Sequence, residues 1–523
     1  MLLRINNNSR NVIKRCMFTK NTKFNNHTIV SNSITTNSTT TITTTTNITN
    51  NMKNINNNKK YKYINRLIHI PKTIIEMNAM VHSHAMSGDV NGALGLLDIM
   101  RTQLDMKPDI TTMNTIINAY AQAGDKDGSI RFLNIMINEF KIIPDVTSFN
   151  SILNAHAVNG DTNGSLRYLM MMIEEYNIKP NIITINTIIK AYSMANDPNN
   201  GKELLLNMKK DYNINPNNHT INTMIHAYGK VGNKNEAMKM MMIMKDYNLS
   251  PDVTTFNMLI EAYANSNYVS GAIKLFEQMK SEFNIIPNII TMTNIINVHV
   301  NTNDKKGAIK YFNILINDYN KIMTPDVVTY TAMIEVHSKN RDTNGAIKYY
   351  NNMINNNIAP NAITFNTLIT AHARVGDCNG AVYYYNRMIN DYKLQPTVSI
   401  LTSIMDAHAK AGDINGMIEY FNIIIDNQLM PEQPTFNVLI LSYTRQNDID
   451  EATKYFNMME EKYLLNPTIR SYNAMIYGHS NNGDVQGALR YLEKMLIAKV
   501  TPDDDTMNFI IRTHFKSNDK VSI

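Results

Sequence analysis

Cysteine is nearly absent from this 523-residue chain, occurring only at Cys16 and Cys378, so no disulfide framework can hold it together and a reducing interior suits it. No run of about 18 apolar residues occurs, which leaves nothing in the sequence long enough to span a bilayer as a helix. Acid is missing from one region: residues 1–75 carry twelve Lys and Arg and no Asp or Glu, the first acid being Glu76. That asymmetry accounts for the net charge of +6, because residues 76–523 hold the other 38 bases against all 44 acids and stand near −6. Global basicity is therefore no argument for a nucleic-acid partner; any such argument must be local.

The acid-free region divides in two. Residues 1–24 interleave Arg4, Arg10, Lys14, Arg15, Lys20 and Lys23 with Leu2, Leu3, Ile5, Val12, Ile13, Met17 and Phe18, the pattern of a mitochondrial presequence, which implies a place in the mitochondrial matrix. Residues 25–73 form an Asn/Thr-rich linker that buries too little apolar surface to offset chain entropy, so disorder is expected there.

What the chain has in abundance is repetition. Units begin at Ile74, Ile110, Val146, Ile182, Asn218, Val253, Ile289, Val327, Ala362, Val398, Gln433 and Ile469, and eleven of these twelve are 35 or 36 residues long, the unit from Ile289 having 38. They fill residues 74–503, and a partial terminal repeat occupies 504–523. The first half of a unit places apolar or aromatic residues at positions 4, 7, 8 and 11, as in Phe365, Leu368, Ile369 and His372, one face of a helix. A second stripe follows at positions 20, 21, 24 and 27, here Ala381, Val382, Tyr385 and Met388. Between them, position 15 is Gly in seven units, Asn in five and Arg341 in one, residues suited to a left-handed C-cap. Position 16 is Asp in eleven of thirteen, including Asp89, Asp125, Asp161 and Asp377, and reads as the N-cap of the second helix. A Pro near each unit's end, such as Pro144, Pro180 and Pro396, is expected to stop that helix. One helix pair cannot bury both its faces, so the predicted fold is all-α: a right-handed superhelical α-solenoid of helix-turn-helix repeats, with the first helices lining the concave side.

His372, Asp377 and Cys378 lie within seven residues and resemble a catalytic triad. The repeat dissolves it. Position 11 is His or Tyr in all thirteen units, and a residue that exchanges with Tyr is chosen for size, flatness and one polar tip. Asp377 is one cap among eleven, and the Cys378 position holds Val, Lys, Thr or Ile in other units, with Pro198 in one. No zinc-type CxxC pair, phosphate loop or GxSxG elbow occurs, so no enzyme, cofactor or metal site is expected.

Position 5 carries the sharper signal. It holds Asn78, Asn114, Asn150, Asn186, Asn222, Asn257, Thr293, Thr331, Asn366, Thr402, Asn437, Asn473 and Asn508, residues poor inside helices and off the apolar stripe, two places after a Thr or Ser that would cap the first helix. The closing residue of each unit is restricted too: Asp109, Asp145, Asn181, Asn217, Asp252, Asn288, Asp326, Asn361, Thr397, Glu432, Thr468 and Asp503. Two short polar side chains per unit can address one base edge. At position 13, Lys230, Lys339, Arg374, Lys410, Arg445 and Lys516 form a candidate rail for phosphates.

Units such as VTSFNSILNAHAVNGDTNGSLRYLMMMIEEYNIKPN resemble the pentatricopeptide repeat, with an aromatic-Asn-x-hydrophobic opening, mid-unit Ala and Gly, Met in the second helix and Pro-Asp or Pro-Asn at the end. The resemblance covers residues 74–523 and is of the type built from such repeats alone. It implies an organellar protein that binds single-stranded RNA, one nucleotide per repeat, with position 5 and the closing residue selecting the base. Other RNA-processing or ribosomal proteins are the further partners it suggests. Asn with Asp (Asn78/Asp109, Asn114/Asp145, Asn222/Asp252, Asn473/Asp503) then implies U, and Asn with Asn (Asn150/Asn181, Asn186/Asn217, Asn257/Asn288) a pyrimidine. Thr293/Asp326 implies G and Thr331/Asn361 implies A, while Asn366/Thr397, Thr402/Glu432 and Asn437/Thr468 depart from the family's well-read combinations. The implied site is 5′-UUYYUYGA, three weakly specified bases, and U. The family's base-sandwiching position 2 is aliphatic at Ile75, Ile183, Ile290, Val328 and Ile363, but His219, Pro434 and Arg470 stand there in other units. A scaffold using the same surface for a peptide is the alternative, which the near −6 charge of the repeats favours and the paired polar positions oppose.

Overall fold

In a computed structural model, residues 73–319 and 322–521 are described; the expected presequence and all but the last residue of the expected linker lie outside them. That last residue, Thr73, belongs to the first repeat instead: it is the N-cap of helix Ile74–Met86, and its Oγ1 accepts from the Glu76 N–H at 3.3 Å. The described residues form twenty-five α-helices and no β-strand. All thirteen first helices begin where the sequence unit begins, as in Ile110–Gln122, Val146–Val158, Ala362–Val375 and Asp504–Val521.

The chain divides after Ala262 into two compact units, each a solenoid of stacked helix pairs. Within each unit a first helix packs on its own second helix and on the next first helix, while the second helix also leans on the first helix that follows it. Each first helix is therefore covered from three sides, which explains why residues such as Phe149, Ile152, Phe365 and Leu368 are wholly buried.

The turn inside each pair follows the expected chemistry. Left-handed backbone occurs at Gly88, Gly124, Gly160, Gly232, Gly376, Gly412 and Gly483, and at Asn196, Asn267, Asn303, Arg341 and Asn447, twelve of the thirteen position-15 residues. The thirteenth, Asn518, lies within the helix Asp504–Val521. Of the eleven position-16 Asp residues, two depart from the expected capping: Asp197 does not cap with its side chain, Pro198 opening that helix directly, and Asp519 lies within the helix Asp504–Val521.

Two expectations need correction. In the second helix Cys378–Asn390 the buried residues are Ala381, Tyr384 and Met388, with Val382 and Tyr385 only half-buried. Position 24 is nevertheless buried in other repeats, as at Leu133, Leu169, Leu205 and Phe456, so across the repeats the stripe runs at positions 20, 23, 24 and 27, and position 21 falls outside it at Val382. A second helix faces one groove between neighbouring first helices, and a narrow stripe fills it. Nor does Pro stop the second helices. Helix Lys126–Asn138 ends before the left-handed Lys141, six and three residues respectively ahead of Pro144. Pro144 and its counterparts directly precede the N-cap of the next first helix, where a fixed φ sets the entry of the chain.

Candidate functional site

The closing residue of each unit caps the next first helix. Asp109 accepts from the Thr112 N–H at 2.9 Å, Asp145 from Ser148 at 2.9 Å and Asn361 from Thr364 at 2.9 Å, each with the hydroxyl returning toward the cap's own N–H. The Thr or Ser at position 3 is thus the inner partner of a capping box and not the cap, contrary to its sequence-based assignment.

These same hydroxyls tie successive repeats together. Thr112 Oγ1 donates to Asn78 Oδ1 at 2.5 Å, and Asn78 Nδ2 donates to Asp109 Oδ1 at 3.1 Å. Asn114 repeats the arrangement with Ser148 at 2.5 Å and Asp145 at 3.0 Å, Asn473 with Thr506 at 2.7 Å and Asp503 at 3.0 Å. Asn150 meets Thr184 at 2.7 Å and Asn181 at 3.5 Å, and Asn222 donates to Asp252 while its Oδ1 is buried without a partner.

In other repeats the two members meet through the position-3 hydroxyl. Thr220 bridges Asn186 and Asn217, Thr329 bridges Thr293 and Asp326, Thr364 bridges Thr331 and Asn361, and Ser471 bridges Asn437 and Thr468. Thr402 bonds Thr435 at 2.8 Å, whose hydroxyl also accepts from the Glu432 N–H at 3.4 Å. Asn366 differs: its amide meets Ser399 Oγ at 3.2 Å, and Thr397 bonds only the Ile400 N–H. Asn257 and Asn288 lie in different compact units, and Asn508 is exposed.

Asn508 apart, position 5 is consequently half-buried to buried, Asn114, Asn186, Asn222, Asn257 and Thr293 being buried outright. Against the cost of burial, the Thr112 N–H and the Asn78 amide hold the Asp109 carboxyl below its ordinary range; the Thr506 N–H and the Asn473 amide do the same for Asp503. Each is an ionised acceptor near neutrality.

Beside these pairs, position 2 is exposed in every one of the thirteen repeats. The five aliphatic examples stand well out, from 53% at Val328 to 77% at Ile75. In these five repeats an apolar side chain so exposed beside a polar pair forms a surface suited to a flat apolar ligand with hydrogen-bonding edges.

The position-13 cations gather at the C-terminal ends of first helices, where the helix dipole favours them. Lys339 Nζ donates to Val300 O at 3.2 Å and Lys516 to Asn481 O at 3.1 Å, while Arg374 reaches Ser338 Oγ at 3.1 Å. Lys410 pairs with Asp406 of its own helix at 2.6 Å, Lys230 lies 3.9 Å from Met194 Sδ, and Arg445 is exposed. Four of the six therefore also bind the preceding repeat.

The position-11 histidines pack, as their exchange with Tyr suggested, but sequence reasoning missed what their polar tip does. His84, His156, His299, His337, His372, His408 and His479 each place Nδ1 2.8–2.9 Å from the Oδ2 of the Asp five residues on. His372 also packs on Tyr384, ring centroids 5.3 Å apart. The signal was present: seven of the eight histidines at this position have Asp five and Gly eight residues later, a pattern shared by only one of the five tyrosines, Tyr120. Cys378 is a half-buried free thiol, and among the described residues no group of His, Cys, Asp and Glu is placed to hold a metal ion. Nor is any described helix long and apolar enough to cross a membrane.

The PPR repeat family matches residues 180–227, 216–265, 251–301, 325–374 and 467–516. The pentatricopeptide repeat domain matches 95–159, 133–194 and 350–411, and the single PPR repeat 77–103, 399–429 and 434–464. A pentatricopeptide repeat-containing protein of Arabidopsis thaliana is 30% identical over 70 residues; the match spans 13% of this chain and 13% of that relative's length. The fold is similar to that of PPR10 in complex with an 18-nt psaJ RNA element, at TM-score 0.59 and 19% identity over 87% of this chain and 68% of that one. Against PPR10 from maize the TM-score is 0.49 at 19% identity, covering 83% and 70%.

Proposed function

The chain belongs to the pentatricopeptide repeat family, and from that premise we propose that it is a sequence-selective single-stranded RNA-binding protein of mitochondria, reading one nucleotide per repeat. It acts on mitochondrial transcripts by occupying them, through their stability, processing or translation. The observation that carries this reading is the recurrence, repeat after repeat, of an exposed position-2 side chain beside a polar pair formed by position 5 and the closing residue.

The pair's chemistry supports the assigned letters. An ionised Asp only accepts, so in repeats such as Asn78/Asp109 the amide turns its NH2 toward the carboxylate. The pair thus offers a donor beside an acceptor. Uracil matches with a carbonyl and its N3–H, whereas cytosine has a bare N3 that the carboxylate repels. With Asn as closing residue the second group is neutral, and either pyrimidine is accommodated. The mitochondrial assignment is supported by the acid-free, interleaved residues 1–24.

A second reading, a peptide-binding scaffold, is favoured by the near −6 charge of residues 76–523. Crosslinking in intact mitochondria followed by sequencing of bound RNA separates the two. Recovery of transcripts enriched in UUYYUYGA supports the proposal, and recovery of no RNA above background replaces it with the scaffold.

A further inference from the structure

Six position-5 asparagines accept at Oδ1 from the position-3 hydroxyl of the following repeat: Asn78 from Thr112, Asn114 from Ser148, Asn150 from Thr184, Asn186 from Thr220, Asn437 from Ser471 and Asn473 from Thr506. The direction of three of these bonds, those of Asn78, Asn114 and Asn473, is determined by the closing residue. Where the closing residue is an ionised Asp, it accepts from Nδ2, so the opposite end of the amide facing the hydroxyl is Oδ1 and the hydroxyl must donate. Without that hydroxyl the amide is held at one end only, by the closing residue on Nδ2, and its oxygen is no longer pinned away from a ligand.

We propose that the position-3 Thr or Ser that reaches back to one of these six asparagines is a positioning residue for the base read by the preceding repeat, locking the asparagine amide so that it presents N–H and not C=O. The inference rests on the base-reading role of position 5. It assigns to the following repeat a share in each specificity determinant, so one nucleotide is set by residues of two repeats. Repeats 5 and 9 lack the lock: Asn222 Oδ1 is buried without a partner, the Thr255 hydroxyl donating to Asp252 instead. The residue at position 3 of repeat 10 is Ile400, buried and without a hydroxyl, and Asn366 is held by Ser399 at 3.2 Å and Ser403 at 3.4 Å. Its base is weakly discriminated for that reason as well as for its Thr397.

Ser148 provides the test, because it is wholly buried and removing its hydroxyl deletes one oxygen atom. The full chain is compared with Ser148→Ala, Ser148→Thr and Asn114→Ala for binding to 5′-UUCCUCGA and 5′-UCCCUCGA, which differ only at the second base. Ser148→Ala should lower the preference for U over C about five-fold, the size of one net hydrogen bond, and Ser148→Thr should restore it. Equal weakening toward both oligonucleotides, with the preference intact in Ser148→Ala but lost in Asn114→Ala, overturns the positioning role and leaves base reading standing. A preference unchanged in Asn114→Ala removes base reading at this pair and the inference with it. Thr184→Ala, read at the third base with a pyrimidine against a purine, repeats the test on a separate capping box should Ser148→Ala fail to fold.

Discussion

His372 Nδ1 donates to Asp377 Oδ2 at 2.8 Å, and the Asp377 Oδ1 in turn accepts from the Gly380 N–H at 2.9 Å. The ring, the cap and the glycine form one clamp that joins a first helix to its second, and it recurs in seven repeats with His at this position. A Cβ on Gly380 would overlap His372 Nδ1, an approach no packed atom tolerates. Gly380→Ala should therefore cost about 1–3 kcal/mol, the scale of overpacking in a filled core. Cys378→Ser, two residues away, should leave the urea midpoint unchanged. An unaltered midpoint in Gly380→Ala would show that the clamp is slack.

The same clamp makes stability depend on pH. Burial lowers the pKa of His156 and His337 below 6.5 although Asp161 and Asp342 oppose it, and each ring's Nε2 is buried without a partner. A proton there would add a buried charge and an unsatisfied donor. A depressed folded pKa contributes stability that is complete above the unfolded value and is lost as pH falls. The unfolding midpoint should thus be flat above neutrality and decline below 6.5. A second decline follows below 3.8, since Asp161 and Asp342 are held at about 2. His156→Tyr with His337→Tyr should flatten the first decline, because Tyr occupies this position in other repeats; a rise in stability on acidification would contradict the account.

Ile183 is 58% exposed on the first turn of its helix and contributes little to the core. Ile183→Ala should weaken RNA binding about ten-fold, the order of burying part of one aliphatic side chain, with no change in the unfolding midpoint. Full affinity in the variant would show that position 2 does not sandwich a base.

Arg374 and Lys410 separate a phosphate rail from a structural role. If they meet phosphates, replacing both by Ala should weaken binding to every oligonucleotide alike and reduce the salt slope by about 1 for each cation removed. Were they only to hold Ser338 and Asp406, stability would fall and the salt slope would not.

The repeat boundaries were legible because helix starts, left-handed turns and caps recur at fixed spacing, and all thirteen first helices begin where the pattern restarts. The inner wiring was less so. Thr112 and Asn78 are 34 residues apart, and nothing within one repeat shows that the hydroxyl of the next reaches back to the amide. Position 5 lies off the apolar stripe, yet Asn114 is buried, because successive first helices pack along that second line. The His372–Asp377 bond was hidden for a related reason: one residue faces inward from a helix and the other ends a turn, and only their repeated spacing with Gly380 betrays the contact.

The central claim is that polar pairs at successive repeats select successive bases. It is tested most directly by binding of the full chain to an oligoribonucleotide carrying 5′-UUYYUYGA and to one of the same composition in permuted order, at one fixed salt concentration. The account predicts at least about ten-fold tighter binding to the first, the discrimination of one well-read base pair edge multiplied over several repeats. It also predicts that Thr293→Asn with Thr331→Asn moves the preference at the seventh and eighth bases toward pyrimidines. Equal affinity for the two sequences, or no shift in the double variant, would contradict it.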